Sequence, residues 1–202
     1  MTARPEPTQS EFPWKIPDHL LSIEEYAALG EPESGFTELV EGRVVMSPSP
    51  IRRHNRAAYR LSTILEPQLP PELDVNLDLD VDLGLTPPGQ AGFSRRPDFM
   101  ITYRAANERV DRDSAMFRAN EVLVVVEVVS PGSKRTDHKT KHSEYAEAGI
   151  PFYWILDLTQ PISLVVCHRD GESRYRNGPA VTGVFTTTEP FPCKIDLNAL
   201  LD

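Results

Sequence analysis

The sequence predicts an α/β fold of the α+β type, with a mixed β-sheet and helices packed on its faces. Three observations support this prediction. From residue 52 onward the expected elements follow the order helix, three strands, helix, strand. One of these strands contains VLVVVEVV at 122–129, which is apolar on both alternating faces and typical of a covered central strand. The last strand follows a helix at once, and such a crossover makes a parallel pair.

Size and composition are those of an ordinary globular protein. The chain has 202 residues, 40% apolar and 25% charged, enough for a single domain that we place at 19–202. Residues 1–18 are polar and rich in proline, so we expect a flexible N-terminal arm. An apolar leader and a run of about eighteen apolar residues are both missing, which favours a cytoplasmic protein outside the membrane.

A short helix and a hairpin are predicted before the core. Ser22 and Glu25 have the spacing of a capping box, which marks the start of a helix. The segment FTELVEGRVVMS at 36–47 predicts two short strands joined by a turn at Glu41–Gly42. Glu38 lies in the first of these strands.

The core begins with a helix and a long strand. Residues 52–66 carry one apolar stripe at helical spacing, with arginines elsewhere on the surface. Strict alternation of apolar residues with Asp or Asn at 73–83 predicts one long strand with one wet face. The aspartates there lack the glycine and spacing of a helical calcium loop, so an exposed strand face is favoured over a calcium site.

The remaining elements follow in order. Further core elements are predicted as strands at 98–103, 121–130 and 151–158 and a helix at 137–149. The charged and irregular segment 104–120 predicts a long loop. From residue 162 onward, short apolar runs between turns predict a peripheral antiparallel β flap.

Three residues of this predicted core indicate a catalytic site. Glu127 lies among valines, where a carboxylate is costly unless a cation or hydrogen bonds meet it. Asp98 opens the neighbouring strand, so both carboxylates can lie at one end of the sheet, a pair that hard divalent cations favour. Lys141 can return to this place from the following helix. A magnesium-activated water beside a lysine is suited to breaking a phosphodiester.

Structural roles are the alternative for the same residues. Asp98 would then cap a turn, Glu127 would pair with an arginine, and Lys141 would be a solvated helix lysine. Glu127 fits this alternative least well, because valines flank it on both sides. Ser130 is not expected to be a nucleophile, since the chain has no G-x-S-x-G elbow around it.

The order Pro97-Asp98, then Glu127, then a helix lysine resembles the PD-(D/E)XK nuclease superfamily. More closely, the chain resembles the Uma-two family of bacterial restriction-endonuclease-like proteins over about residues 20 to 190. The resemblance rests on an arginine–histidine helix start and on three motifs: ELVEGRVVMSPSP, RRPDFMI and EVVSPGSKRTDHKTKHSEYAEAGIPFYWILD. It implies a restriction-endonuclease-like core.

The resemblance also implies a metal site for magnesium or manganese. Its ligands would be Asp98, Glu127 and the backbone carbonyl of Val128. The superfamily places its lysine two positions after the acid, where this chain has Val129, and the lysine is then Lys141 on the helix. Glu38 matches a family acid, either as a further catalytic ligand or as a solvent-facing strand glutamate.

Other residues on the same two helices have supporting interpretations. On the second helix, Asp137 is expected to cap it and Tyr145 to pack it against the sheet. His54 contacts phosphate, acts as a proton shuttle, or is a plain surface histidine.

The charge distribution bears on nucleic-acid binding. A net charge of −9 argues against a non-specific nucleic-acid coat, although an acidic body can carry a local basic cleft. Basic clusters occur near 52–60 and 134–141, either as solvated helix faces or as phosphate contacts. The expected nucleic-acid contacts are Arg52, Arg53, His54, Arg56, Lys134 and Arg135.

The function expected from the sequence is a magnesium-dependent endonuclease that acts on DNA. Asp98 and Glu127 would hold the metal, and Lys141 would position the attacking water. A homodimer is a further expectation, because cutting a duplex needs two sites. The alternatives are an inactive nuclease-fold binding module and a nuclease that acts on RNA.

Overall fold

The structure is a computed structural model. It describes residues 15, 17–30, 32, 35–47, 50–129, 135–171 and 173–201, without the side chains of 135–138. Most of the predicted flexible arm therefore lies outside the described residues, as do Ser130 and Lys134 and the side chains of Arg135 and Asp137.

The described residues form four α-helices and fourteen β-strands. The α-helices are α1 (Ile23–Leu29), α2 (Arg52–Leu65), α3 (Asn107–Asp113) and α4 (Arg135–Glu147). The strands are β1 (Phe36–Val40), β2 (Arg43–Ser47), β3 (Leu73–Leu77), β4 (Val81–Asp82), β5 (Ser94–Arg95), β6 (Phe99–Tyr103), β7 (Phe117–Arg118), β8 (Val122–Val129), β9 (Phe152–Asp157), β10 (Ser163–Arg169), β11 (Tyr175–Asn177), β12 (Val181–Thr182), β13 (Val184–Thr187) and β14 (Cys193–Asp196).

The central sheet is mixed, as the sequence predicts. Its strands lie in the order β11-β10-β9-β8-β6-β3, with β12 beside β10. The β8–β9 pair, joined by α4, is parallel, while β8, β6 and β3 form an antiparallel meander. The α2-to-β9 order confirms the predicted core of helix, three strands, helix and strand.

A second sheet carries the hairpin and lies beside the candidate site. Its strand order is β2-β1-β5-β4-β7. The predicted two-residue turn is present, because Glu41 and Gly42 both have positive φ, 51° and 74°, which suits a tight hairpin turn. The capping box of α1 is also present, with Ser22 and Glu25 each bonding the other's backbone.

Each face of the central sheet has its own core. Trp154 and Tyr153 are successive residues of β9, so they point to opposite faces. Trp154 packs with the α2 stripe, which includes Leu61 and Leu65, while Tyr153 packs with Tyr145 and other residues on the α4 side. Within the described part of the chain, no helix has the length and apolarity needed to cross a bilayer.

The prediction of one long strand at 73–83 is wrong. Strand β3 ends at Leu77, and β4 joins the second sheet instead of the central one. Between them Asp78 adopts the left-handed conformation with φ of 51°, and its backbone N–H donates to the Asp98 carbonyl at 3.4 Å. This single left-handed residue turns the chain from one sheet to the other, which the unbroken alternation of the sequence does not show.

Two other segments are more ordered or more central than predicted. The expected loop at 104–120 contains α3 and β7. The segment after residue 162 is antiparallel, as predicted, but β10 extends the central sheet beside β9 and is not peripheral.

Candidate active site

Glu127 lies on the central strand β8, on the sheet face that is covered by α4. Its side chain belongs to β8 and is 5% exposed. The Lys141 ammonium donates to Glu127 Oε1 at 2.8 Å, and the Tyr145 hydroxyl donates to the same oxygen at 2.9 Å. The carboxylate thus has the polar partners that its burial requires. Its partner is a lysine, not the arginine of the structural alternative.

Lys141 is buried between two carboxylates. Its side chain comes from α4, and the residue is 6% exposed. The ammonium lies 2.8 Å from Glu127 Oε1 and 3.0 Å from Glu38 Oε1. The interpretation of Lys141 as a solvated helix lysine is therefore wrong.

Glu38 approaches from the hairpin strand β1. It is 0% exposed, which excludes the solvent-facing alternative. Besides Lys141, it accepts hydrogen bonds from Arg95 Nη1 at 2.8 Å and from the Arg96 backbone N–H at 3.3 Å. Both carboxylate oxygens of Glu38 therefore bind cationic side chains, Oε1 the ammonium of Lys141 and Oε2 the guanidinium of Arg95.

Asp98 lies next to Glu127 because of the strand register. Phe99 pairs with Val126 in the antiparallel β6–β8 ladder, so one further step sets Asp98 opposite Glu127. Asp98 Oδ2 accepts a 2.6 Å hydrogen bond from the Val128 backbone N–H. The carboxylate is half-buried and is bonded to the neighbouring strand, so it does not simply cap a local turn.

His54 reaches Asp98 from the start of α2. Its Nε2 lies 3.3 Å from Asp98 Oδ2, and the side chain is 15% exposed. Helical spacing places His54 on the same stripe as Ala58, Leu61 and Leu65, which faces the sheet. His54 is therefore not a plain surface histidine. Burial favours the neutral ring, but the hydrogen bond and charge of Asp98 raise the pKa of His54 above its ordinary value.

The two carboxylates that flank Lys141 differ in acidity. Burial would raise the pKa of Glu38, but Lys141 and Arg95 outweigh it and hold that pKa at about 2. Burial raises the pKa of Glu127 to about 7, and the charges of Asp98 and Glu38 add to this shift against the opposing Lys141. The difference arises because Glu38 has two cations beside it, whereas Glu127 shares one and faces two other carboxylates.

The balance of charges around Glu127 adds to the effect of burial on its pKa. A buried charge network joins Glu38, Glu127 and Glu144 to two cations, Lys141 and Arg95. With every group ionised, this network carries one negative charge more than its positive charges balance. A proton on Glu127 or an added cation would remove the excess.

The structure describes only some of the residues predicted to contact nucleic acid. Arg52 and Arg53 are exposed in the first turn of α2, and Arg56 is half-buried one turn later. The Arg53 guanidinium donates to the Leu158 carbonyl at 3.3 Å. Lys134 and the side chain of Arg135 lie outside the described residues.

Two members of the buried network were missed by the sequence reasoning. Arg95 and Glu144 lie 49 residues apart and form a two-bond pair with distances of 2.6 and 2.8 Å. The signal available in the sequence was weak: Glu144 lies one turn after Lys141, and Arg95 lies three residues before Asp98. Tyr145 packs in the core as predicted and also donates to Glu127.

Comparison with known proteins decides the family. The sequence profile of the Uma-two family (Uma2), described as "Putative restriction endonuclease", matches residues 23–199. The chain belongs to the Uma2 family. This match confirms the resemblance seen in the motifs. No curated protein sequence matches the chain at a significant level.

A solved structure shares the fold of this Uma2 protein. The crystal structure of a "putative nuclease belonging to DUF820" from Anabaena variabilis ATCC 29413 aligns with a TM-score of 0.62 and 18% sequence identity. The alignment covers 90% of this chain and 97% of the other. At this identity the likeness concerns the fold, which confirms the mixed α/β architecture predicted from the sequence.

Proposed function

We propose that this Uma2 protein is a divalent-metal-dependent endonuclease that cleaves DNA. The observation that carries the proposal is the buried Lys141 ammonium, held against Glu127, which the strand register sets opposite Asp98. Two acids and a lysine at a strand end can bind a metal, orient a water and stabilise the charge that develops on a phosphate.

The residues present fit a magnesium or manganese ion. Among the described residues, no three His, Cys, Asp or Glu side chains converge tightly enough to hold a metal by themselves. Mg²⁺ does not need three, because it usually keeps several waters and binds through one or two carboxylates and the substrate phosphate. Asp98, Glu127 and the Val128 carbonyl would hold it, and its charge would offset the excess negative charge of the network.

Each residue of the site has a role that its contacts support. A bound divalent ion would supply Lewis-acid charge and a more acidic water. Glu38 and Glu127 hold the Lys141 ammonium in place, and it would orient the attacking water. His54, bonded to Asp98, would meet a phosphate or carry a proton at its Nε2.

DNA binding would depend on a local basic surface, because the protein as a whole carries a net charge of −9. Arg52, Arg53 and Arg56 lie on the helix that brings His54 to Asp98, so they border the proposed site. Lys134 and Arg135 complete the proposed set of phosphate contacts.

A cleavage assay tests the proposal. Wild type, Glu127→Ala and the control Glu147→Ala would be incubated with plasmid DNA, single-stranded DNA and RNA, with Mg²⁺, Mn²⁺ or EDTA. Glu147 is a matched control because it is an exposed glutamate on α4. We expect metal-dependent cleavage of DNA by wild type and Glu147→Ala, and a loss of about 100-fold or more in Glu127→Ala.

The same assay separates the alternatives. Preferential cleavage of RNA would replace DNA as the substrate. Equal behaviour of wild type and Glu127→Ala would reject the enzyme. DNA binding without cleavage would then identify a non-catalytic binding module. Val129 is consistent with such a module, because it stands where the superfamily usually has its lysine.

A further inference from the structure

Among its described side chains, helix α4 buries charged groups against the sheet as well as apolar ones. Its sequence, RTDHKTKHSEYAE, contains only two apolar residues, Tyr145 and Ala146. Both are buried, but so are Lys141 and Glu144 on the same side of the helix. Apolar burial is non-directional, so the rotation and height of this helix are set chiefly by its charged hydrogen bonds.

Arg95 makes the most directional of these bonds. Its guanidinium is 2% exposed and donates from Nε and Nη2 to the two carboxylate oxygens of Glu144, at 2.6 and 2.8 Å. A fork of this kind fixes both distance and orientation. Glu144 follows Lys141 by three residues, so the two side chains are neighbours on one helix face. Fixing Glu144 therefore fixes the origin of the Lys141 side chain.

The same guanidinium also orients the partner of Lys141. Arg95 Nη1 donates to Glu38 Oε2 at 2.8 Å, while Glu38 Oε1 meets the Lys141 ammonium at 3.0 Å. Each oxygen of Glu38 is thus directed to a different cation. Arg95 contacts both the carboxylate that receives Lys141 and the helix that carries it.

We infer that Arg95 is a positioning residue, which places the Lys141 ammonium at the active site through Glu38 and Glu144. It acts on the helix and on the carboxylate and does not itself touch the substrate. Loss of Arg95 would remove a charged partner from both carboxylates at once, and Lys141 would lose its fixed approach to Glu127. This inference rests on the proposed function only for its kinetic consequence.

The chain contains a matched control for a merely structural salt bridge. Arg109 of α3 donates from Nε to Glu121 Oε1 at 2.8 Å and from Nη2 to the other oxygen, so this pair is also two-bonded. It joins α3 to the turn before β8 and involves no residue of α4. Arg109→Gln should therefore cost stability without affecting Lys141.

The first experiment measures the accessibility of Lys141 without any substrate. Wild type, Arg95→Gln, Glu144→Gln and Arg109→Gln would be acetylated briefly with an N-hydroxysuccinimide ester, and Lys141 modification would be read by peptide mass spectrometry. We expect Lys141 to react about tenfold faster in Arg95→Gln and Glu144→Gln, as follows from losing charged hydrogen bonds, and at the wild-type rate in Arg109→Gln.

The second experiment measures DNA cleavage kinetics in the same variants and in a Lys141→Met background. Misplacement of Lys141 by about 1 Å predicts a fall of kcat by about 100-fold in Arg95→Gln, with KM within about twofold. In Lys141→Met, adding Arg95→Gln should cause no further loss, because the effect passes through the missing ammonium. Arg95→Lys keeps the charge without the fork and should fall between wild type and Arg95→Gln.

The outcomes are distinct. If wild type does not cleave DNA, the proposed function fails, and the acetylation of Lys141 alone decides the role of Arg95. If Arg95→Gln does not fold, Glu144→Gln carries both measurements, since Glu144 lies nearer the surface. Wild-type reactivity of Lys141 in a folded variant, or an additive kcat loss in the Lys141→Met background, would overturn the inference.

Discussion

The two helices that cover the central sheet are attached by different physics. Helix α2 presents an apolar stripe of Ala57, Ala58, Leu61 and Leu65, and it packs on an apolar sheet face. Helix α4 presents Lys141 and Glu144 together with Tyr145 and meets carboxylates and a guanidinium. One helix is held by the area that it buries, and the other by hydrogen bonds of defined direction.

The two faces of the central sheet, the α2 face and the α4 face, should therefore have separate tasks. An apolar contact tolerates a change of shape when the volume is kept, whereas a buried charge contact fails when one partner is removed. We therefore expect the α2 face to depend on side-chain volume and the α4 face to depend on charge pairing, with the proposed chemistry on the α4 face only. His54 is an exception to this division, because it is a polar residue of α2 that contacts Asp98 of the proposed site.

The largest expected change in stability lies on the α4 face, in Glu38→Gln. Glu38 is the carboxylate that contacts both Arg95 and Lys141, so its loss breaks two buried ion pairs at once. This should lower the free energy of unfolding by about 3–5 kcal/mol at pH 7. Because the pKa of Glu38 is about 2, below its ordinary value of 4.5, its stabilisation is complete above pH 4.5 and is lost as the pH falls toward 2. Urea unfolding across this range should show that the free energy of unfolding depends less on pH in the variant than in wild type. The same pH dependence in both proteins would contradict the role of Glu38.

The α2 face should respond next, in Leu61→Ala. Leu61 is fully buried in the core of this face. Deleting its side chain should cost about 2–5 kcal/mol, because it leaves a cavity. The rate of DNA cleavage by the folded variant should stay at the wild-type value, measured well below the midpoint of thermal unfolding. A lower rate in the folded state would mean that the two faces do not have separate tasks.

Glu127→Gln should give an effect of opposite sign to that of Glu38→Gln. The pKa of Glu127 is raised to about 7, so without metal the wild type should lose stability as the pH rises from 4.5 to 7. The variant lacks this loss and should be more stable than wild type at pH 8, by up to about 3 kcal/mol, and similar to it at pH 4. Urea unfolding in EDTA at both pH values measures this difference. A variant less stable than wild type at pH 8 would contradict the charge excess.

The smallest change is expected for Leu61→Met. The volume is nearly kept and the new side chain is flexible, so the cost should stay below about 1.5 kcal/mol. The midpoint of urea unfolding reports it directly. A loss as large as that of Leu61→Ala would show that the α2 face depends on shape as strictly as the α4 face depends on charge.

The sequence predicted the features that depend on local pattern. The apolar run of β8 and the stripe of α2 correspond to the observed elements within one or two residues, because burial repeats with the period of the element. The break at Asp78 was not predictable from the pattern, since the alternation continues on both sides of one left-handed residue.

The candidate site was predicted in part for a similar reason. Asp98, Glu127 and Lys141 follow from their places on adjacent elements, and the structure brings Lys141 to Glu127. Arg95 and Glu144 were not found, because a pairing across 49 residues depends on how two sheets and a helix are placed in space. The sequence alone offers several carboxylates to Arg95 and no means of choosing among them.

In the proposed reaction the buried ammonium of Lys141 orients the attacking water, and cleavage therefore depends on it. The most direct measurement is the single-turnover rate of plasmid cleavage with Mn²⁺ for wild type, Lys141→Met and Lys139→Met. Lys139 is an exposed lysine two residues away on α4, so the same substitution there removes an equal charge from the same helix. The rate should fall by about 100–1000-fold in Lys141→Met and stay near wild type in Lys139→Met. Equal rates in the two variants would contradict the claim.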